Sequence, residues 1–421
     1  MRIEYLFFII CLVLLFWLMP KTGLIKHSDL SNREVRLLLA IKVIIAVLCA
    51  FYFQKIALNG DYVIYNEEGK IQYDLLLSKP MLFFTDFTSD LNTYGTGRIF
   101  ETAHSFWAYL TFNLAFKFIA VLNLITRGNF YFNSIIFSSI VFFGHVAFYR
   151  IYSEIYPGNK LKLLFACFFL PSLLLYTSCV HKDGIIFLSL GIASYIFFKI
   201  LSDFTLIKFK YIGYLLLSMA AIFLFRNYVI VAIVPAMITA ILSKVLPYKK
   251  RFVFLIIYSV FGIGFFLSSL GTSSLNLPAA VVQRKADFEA LPAGNTNLPM
   301  NELYPTFQSF VLNLPQAVNH YLFRPYLWEF RQPAVLLTAI ELLIYQMMIL
   351  AFIFFRKKNE GSIHSFNIFA LAFVFNMILI IGYTIPNVGA IVRYRSIFWP
   401  LLICPILCNI EWGKLFAFRK K

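Results

Sequence analysis

Asp61 follows an apolar run in the segment Asn59-Gly60-Asp61-Tyr62-Val63-Ile64-Tyr65, with Tyr65 four residues on. A carboxylate placed there can take the proton of a hydroxyl or hold a metal ion; it can equally be an ordinary loop aspartate. A second cluster closes the stretch Pro171 to Gly184, where His181, Lys182 and Asp183 follow one another between apolar runs. Lys182 and Asp183 can satisfy each other at the water edge. Asp183 can also cap the helix it opens, a role compatible with catalysis. Arg226-Asn227 parts two further apolar runs, and Arg393-Tyr394-Arg395 begins the last one. Planar guanidinium forks suit phosphate oxygens in a partly dehydrated site, whether of a substrate or of ordinary lipid. The stretch Leu314 to Arg331 mixes aromatics such as Trp328 with Arg324, Glu329 and Arg331, a composition that fits sugar stacking and interface anchoring alike. His27, His104, His145 and His364 are isolated, and no pair has the spacing of a metal site. No nucleotide-binding glycine loop is present.

The elements that must position these groups are membrane helices. Of 421 residues, 60% are hydrophobic, 19% aromatic and 14% charged, with a mean hydropathy of +0.77. Soluble domains carry about 25% charged residues. Here the charges sit between apolar runs long enough to span a bilayer. The formal net charge of +17 does not point to nucleic acid, because the cations concentrate in short loops, as cytoplasmic loops of membrane proteins do. The six cysteines lie in or beside apolar runs without metal-ligand spacing. The first run, 3–19, has no small-residue cleavage site after it and reads as a retained helix.

Six gaps hold 21 of the 37 Lys and Arg residues: 20–36, 150–162, 199–210, 244–251, 356–361 and 414–421. Placing them on the cytoplasmic side gives eleven spans, at 3–19, 37–57, 131–149, 163–179, 184–200, 211–226, 228–243, 252–270, 334–355, 364–384 and 395–411. The N-terminus is then outside and the C-terminus inside. The fold class expected is all-α, a polytopic transmembrane bundle in one domain, 1–421, with outer loops at 58–130 and 271–333. The apolar run 105–125 would reverse this parity if it crossed, so it is expected to lie along the outer surface as a juxtamembrane helix. A broken helix at 211–243 is the alternative. Lys42 and Lys55 are long enough to snorkel and receive no role. The remaining charged residues named above then share the outer face.

The aspartate of the first outer loop, the Pro171 to Asp183 stretch that opens a helix, and Arg393-Tyr394-Arg395 at the last span resemble the bacterial membrane glycosyltransferases of the GT-C superfamily. The 171–183 and 387–395 stretches are also similar to polytopic proteins of surface-polysaccharide clusters, including oligosaccharide repeat-unit polymerases. The likeness implies an inverting transferase in the bacterial cytoplasmic membrane, acting at its outer face in cell-surface glycan assembly. Its donor would be a sugar on a polyprenyl phosphate or pyrophosphate, its acceptor a glycan or a lipid-linked sugar. Asp61 and Asp183 would be the catalytic acids and the candidate ligands of a divalent cation, Mg or Mn. Arg393, Arg395, Arg226, Lys182 and His181 would bind lipid phosphate, and Tyr65, Arg324, Trp328, Glu329 and Arg331 the sugar or acceptor. Asp61 follows the second span rather than the first, which requires an extra N-terminal helix. The absence of an Asp-Glu pair in 60–65 separates the chain from protein mannosyltransferases. A lipid-linked oligosaccharide transporter is the reading from another class; it would place ionisable groups near the bilayer midplane.

Overall fold

The computed structural model describes residues 3–56, 61–87, 105–204, 209–271, 276–291, 296–329, 332–357 and 363–418; Arg331 and the Asn59-Gly60 step lie outside them. Regular structure among the described residues is helical throughout, which satisfies backbone groups internally where no water can. Among the described residues, eight helices are long and apolar enough to cross a membrane, or ten if each of two bent pairs counts as one span. The chain is a multi-pass membrane protein.

Among the described residues, the helices of six or more residues are, in chain order, α1 (Ile3–Leu18), α2 (Asn32–Lys55), α3 (Asp61–Ser78), α4 (Pro80–Thr85), α5 (Phe106–Thr126), α6 (Phe130–Ile155), α7 (Lys160–Phe168), α8 (Pro171–Ser178) and α9 (Lys182–Ser202). They are followed by α10 (Phe209–Val245), α11 (Lys250–Leu267), α12 (Leu277–Glu289), α13 (Phe307–Leu322), α14 (Pro333–Phe354), α15 (Ser365–Thr384), α16 (Val388–Ser396), α17 (Trp399–Asn409) and α18 (Trp412–Phe418). Local sequence sets several ends. Ser31 and Glu34 form a capping box that starts α2 five residues before the expected 37. Asn129 caps α6 through the amides of Tyr131 and Phe132. The expected span 163–179 is α7 plus α8, bent by 47° ahead of Pro171, whose ring excludes a continuous helix. The expected span 395–411 is α16 plus α17, bent by 65° ahead of Pro400. Arg393, Tyr394 and Arg395, expected at the beginning of that span, therefore lie in the last turns of α16, ahead of the bend. The segments expected as loops contain α3, α4, α12 and α13 as well as α5.

The core is formed by α2, α6, α9, α10, α15 and α17. Small residues let α6 and α9 touch: a Cβ on Gly191 would lie 2.9 Å from the Gly144 carbonyl oxygen. At the periphery, α11 and α14 leave Leu255, Ile256, Val260, Leu337, Met347 and Ile353 exposed, an arrangement stable against lipid. Lys42 does not snorkel. It is buried and donates to Thr177 Oγ1 at 2.6 Å, because α8 packs against α2 at this level and closes the path to water.

Two placements set the geometry of one end of the molecule. The first is a reversal within α10, whose 37 residues would extend about 55 Å if straight. Arg226 pairs with Asp183 at the start of α9, whereas Lys244 lies on the Ser202 carbonyl at 3.2 Å and over the Phe204 ring at 4.3 Å, at the opposite end of α9. Phe209 is five residues from Phe204 and so within about 18 Å of it. The chain therefore doubles back at Arg226, whose extended backbone (φ −153°, ψ 80°) interrupts the helix. The second is the course of α5, which lies along α3, with Tyr65 against Phe116 at 5.3 Å and Asn123 on the Gly69 carbonyl at 3.1 Å, and crosses the ends of α6, α9 and α10. Trp107 meets Phe223 (5.7 Å), Thr111 donates to the Leu224 carbonyl (2.6 Å), Lys182 lies over Phe112 (4.6 Å) and Phe118 meets Phe137 (6.3 Å).

The opposite end collects the basic gaps. Lys160 pairs with Glu34 at 2.7 Å, Lys199 with Glu154 at 2.8 Å, and Lys357 donates to the Cys408 carbonyl at 2.9 Å.

Candidate active site

The site is assembled from caps and first turns. His181 is the N-cap of α9; its Nδ1 lies 3.2 Å from the Asp183 amide and 3.0 Å from Asp183 Oδ2, and which of the two it serves depends on the tautomer. Asp183 thereby stands in the first turn, where the helix dipole favours a negative charge. Gly184 is required beside it, because a Cβ there would lie 2.5 Å from the Phe137 ring. Arg226 arrives from the α10 reversal and pairs with Asp183 Oδ1. Arg393 arrives from α16. It donates through Nη1 to Asp61 Oδ2 at 2.6 Å and holds Nε 3.5 Å from Asp183 Oδ2, so it bridges the two aspartates. Asp61 itself is fixed by α3, which a knot of carboxamides ties to α5 and α6: Asn133 donates to Asn66 at 2.9 Å and to Asn123 at 2.7 Å, and Asn123 to the Gly69 carbonyl at 3.1 Å. One turn closer to the site, Tyr62 and Tyr65 each lie 4.8 Å from the His181 ring.

The two carboxylates differ in environment. Asp183 is fully buried, whereas the Asp61 side chain is 52% exposed. His181, 3.8 Å from Asp61 Oδ2, and the Arg393 guanidinium hold the Asp61 carboxyl well below the usual carboxylate range. Burial, reinforced by both carboxylates, raises the Tyr65 phenol, so its hydroxyl remains a donor.

Beside these groups a cleft of about 170 Å³ opens between α5, the α10 reversal, α12 and α16. Its walls include Lys182, Arg226, Arg284, Trp107, Phe112 and Tyr394. Arg226 lies over the Tyr394 ring at 3.7 Å and Arg284 over the Tyr228 ring at 4.1 Å. Arg284, in the middle of α12, is a group that the sequence does not single out. It looks like one of four cations in the polar stretch 271–333, and only the fold shows that it faces this cleft. Five buried side-chain atoms here lack a hydrogen-bond or ion-pair partner: Tyr62 Oη, Tyr65 Oη, Arg226 Nη1, Tyr228 Oη and Arg284 Nε. Buried polar atoms are rarely left so, and such a concentration marks a place built to receive a polar ligand. Four cations face two carboxylates, which favours an anion.

The structure thus brings together Asp61, Tyr65, His181, Lys182, Asp183, Arg226 and Arg393. It does not bring Arg395 to them. Two residues on, Arg395 leaves the other side of α16 and is 2% exposed, donating to the carbonyls of Tyr321 (2.6 Å) and Arg324 (2.7 Å). Arg324, Trp328 and Glu329 form a separate group, in which Arg324 lies 3.1 Å from Glu329. A divalent cation does not fit the two aspartates, since each is already paired with a guanidinium, and no group of three or more His, Cys, Asp or Glu among the described residues could hold a metal ion.

The chain matches no protein-family model, and no curated protein or solved structure is significantly similar to it.

Proposed function

We propose that this protein is an integral-membrane glycosyltransferase that moves a sugar from a polyprenyl-phosphate carrier to a glycan or lipid-linked acceptor at the outer face of the bacterial cytoplasmic membrane. The observation that carries the reading is the juxtaposition of a half-exposed carboxylate, Asp61, with an aromatic-walled cleft lined by Lys182, Arg226 and Arg284. The donor phosphate sits among these cations and Arg393, with the polyprenyl chain among the surrounding apolar helices. The acceptor hydroxyl oxygen attacks the anomeric carbon from the side opposite the phosphate and gives its proton to Asp61. The carbon–oxygen bond to phosphate breaks, and the electron pair leaves on the phosphate. Cations aimed at that developing charge contribute about 2.7–4 kcal/mol each in favourable cases. Asp183, buried and held by Arg226, acts as a positioning residue for the two arginines. The course of α5 across the ends of α6, α9 and α10 supports reading it as a juxtamembrane helix, which keeps the basic gaps on one side and the site on the other.

Free Asp61 is a weak base because Arg393 pairs with it. When phosphate takes Arg393, Asp61 loses that partner and its affinity for the acceptor proton rises. Reconstitution with polyprenyl-phosphate and polyprenyl-pyrophosphate sugars tests the reading. Release of the free carrier, abolished in Asp61→Asn with the fold intact, is expected; full activity in Asp61→Asn refutes it. Release of pyrophosphate carrier from a lipid-linked oligosaccharide would identify a repeat-unit polymerase instead. The second class of reading, a lipid-linked oligosaccharide transporter, draws on the bent pairs α7–α8 and α16–α17 and on the buried Lys42 and Glu341. Flipping of a labelled carrier without its cleavage would select it.

A further inference from the structure

On the Arg395 side of α16 a second cavity, a groove of about 480 Å³, is lined by residues that include Asn301, Gln316, Asn319, His320 and Arg324. Its shape is preset: Gln316 accepts from the Asn301 amide at 3.1 Å and donates to the Pro299 carbonyl at 3.3 Å, tying one bank to α13. His320 is 2% exposed, and its Nδ1 has no hydrogen-bond partner; neither has Arg324 Nε. Buried polar atoms in a groove wall without partners are places where a ligand's polar atoms are expected.

The character of that ligand follows from charge. The Arg324 guanidinium is balanced by Glu329 at 3.1 Å. Burial, with Arg324 beside it, pushes His320 down to about 4, so the imidazole is neutral near pH 7. The groove therefore offers carboxamides, a neutral imidazole and a neutralised guanidinium, which donate and accept without net charge. Next to it Tyr326 donates to Asn319 Oδ1 at 2.7 Å, and Trp328 stacks flat on Tyr326 at 5.0 Å with an interplanar angle of 2°. Trp328 is 80% exposed, so its indole is open to a ligand. Mixed donors and acceptors beside an open aromatic face match a sugar ring, whose hydroxyls do both and whose C–H face is apolar.

We infer that this groove binds an uncharged saccharide chain and is a site separate from the cation-lined cleft. The groove chemistry stands by itself; its assignment to the acceptor glycan rests on the transferase reading. On that reading α16 links the two sites, since Arg393 reaches Asp61 while Arg395 holds the Arg324 carbonyl at the groove.

The test is titration calorimetry on the full-length protein in nanodiscs. The probes are linear neutral oligosaccharides of gluco-, galacto-, manno- and N-acetylglucosamine type, matched uronic-acid oligosaccharides, and inorganic pyrophosphate. At least one neutral oligosaccharide is expected to bind. Trp328→Ala, at an exposed position that leaves the fold intact, and Asn319→Ala are each expected to weaken it by about tenfold. Arg284→Leu should lower pyrophosphate binding and leave the saccharide unchanged. The inference fails if no neutral oligosaccharide binds at millimolar concentration, if both groove variants bind like the parent, or if the uronic-acid series binds better. Quenching of Trp328 by brominated lipid, unaffected by saccharide, would make it a membrane anchor and also overturn the site. Groove binding in a protein that never releases polyprenyl carrier would sink the transferase and keep the groove; turnover without groove binding would do the reverse.

Discussion

His181 and Arg393 together set the state of Asp61, and Arg393, the guanidinium in contact with the exposed carboxylate, also reaches the buried one. The Asp61 carboxyl is lowered in the folded protein. The pair therefore contributes stability above the unfolded carboxylate range, near about 3.9, and loses it as pH falls through the lowered value. The same shift places any acid limb due to Asp61 below that range in the parent enzyme. In Arg393→Leu the limb of kcat/KM should move up, together with a fall in kcat, and reach the ordinary carboxylate range when His181 is replaced as well; a limb unmoved in the double variant would show that Asp61 is not the base. Arg284 lines the cleft. Its replacement by Leu should raise the donor KM at least about tenfold, the usual loss for a hydrogen bond to a charged group, which steady-state assay with varied donor measures.

Helices α3, α5, α6 and α9 hold the site by contacts that carry no catalytic charge. Asn133 donates to both Asn66 and Asn123, so Asn133→Leu leaves the buried Asn66 oxygen without a donor and Asn123 with the Thr126 hydroxyl at 3.2 Å. The orphan costs about 1–3 kcal/mol. Thermal unfolding in detergent should show the loss in Tm, and the donor KM should rise as α3 shifts Asp61. Gly191 meets the Gly144 backbone, which cannot move aside as a flexible side chain can. Gly191→Leu should therefore separate α6 from α9 and lower Tm more than Asn133→Leu; an equal Tm to the parent would mean that the two helices do not touch there. Glu341 of α14 shows the same logic inside the bundle. It accepts from the Ser172 amide (3.1 Å) and hydroxyl (2.9 Å), satisfying the start of α8 that Pro171 sets free.

At the scale of the whole molecule, charge is segregated between two ends. One end gathers Lys160, Lys199, Lys244 and Lys357, and the other gathers the carboxylate–arginine cluster. Cations retained at one membrane face predict that the site end is outside. With the native cysteines replaced by alanine, Trp328→Cys should react with an impermeant maleimide added to intact cells, and Tyr248→Cys, in the short link between α10 and α11, should not. The reverse labelling would invert the protein in its membrane.

Composition and the spacing of apolar runs determined the helical membrane class, because a bilayer imposes length and hydropathy on each segment separately. Cation counts likewise marked the basic end, and isolated ionisable residues between apolar runs marked Asp61, Asp183, Arg226 and Arg393, since a charge beside a membrane span is costly wherever it occurs. What the sequence could not carry was direction and company. Residues 393 and 395 look equivalent in a string, yet positions two apart on a helix point to nearly opposite sides, so one reaches Asp61 and the other braces α13. Lys42 looks like a snorkelling side chain until α8 covers it. Arg284 has no local signature at all, and the mixed aromatic and polar stretch Leu314 to Arg331 was visible without the groove that it lines along α13. Their meaning lies in contacts between segments tens to hundreds of residues apart, and only the packed chain brings those segments together.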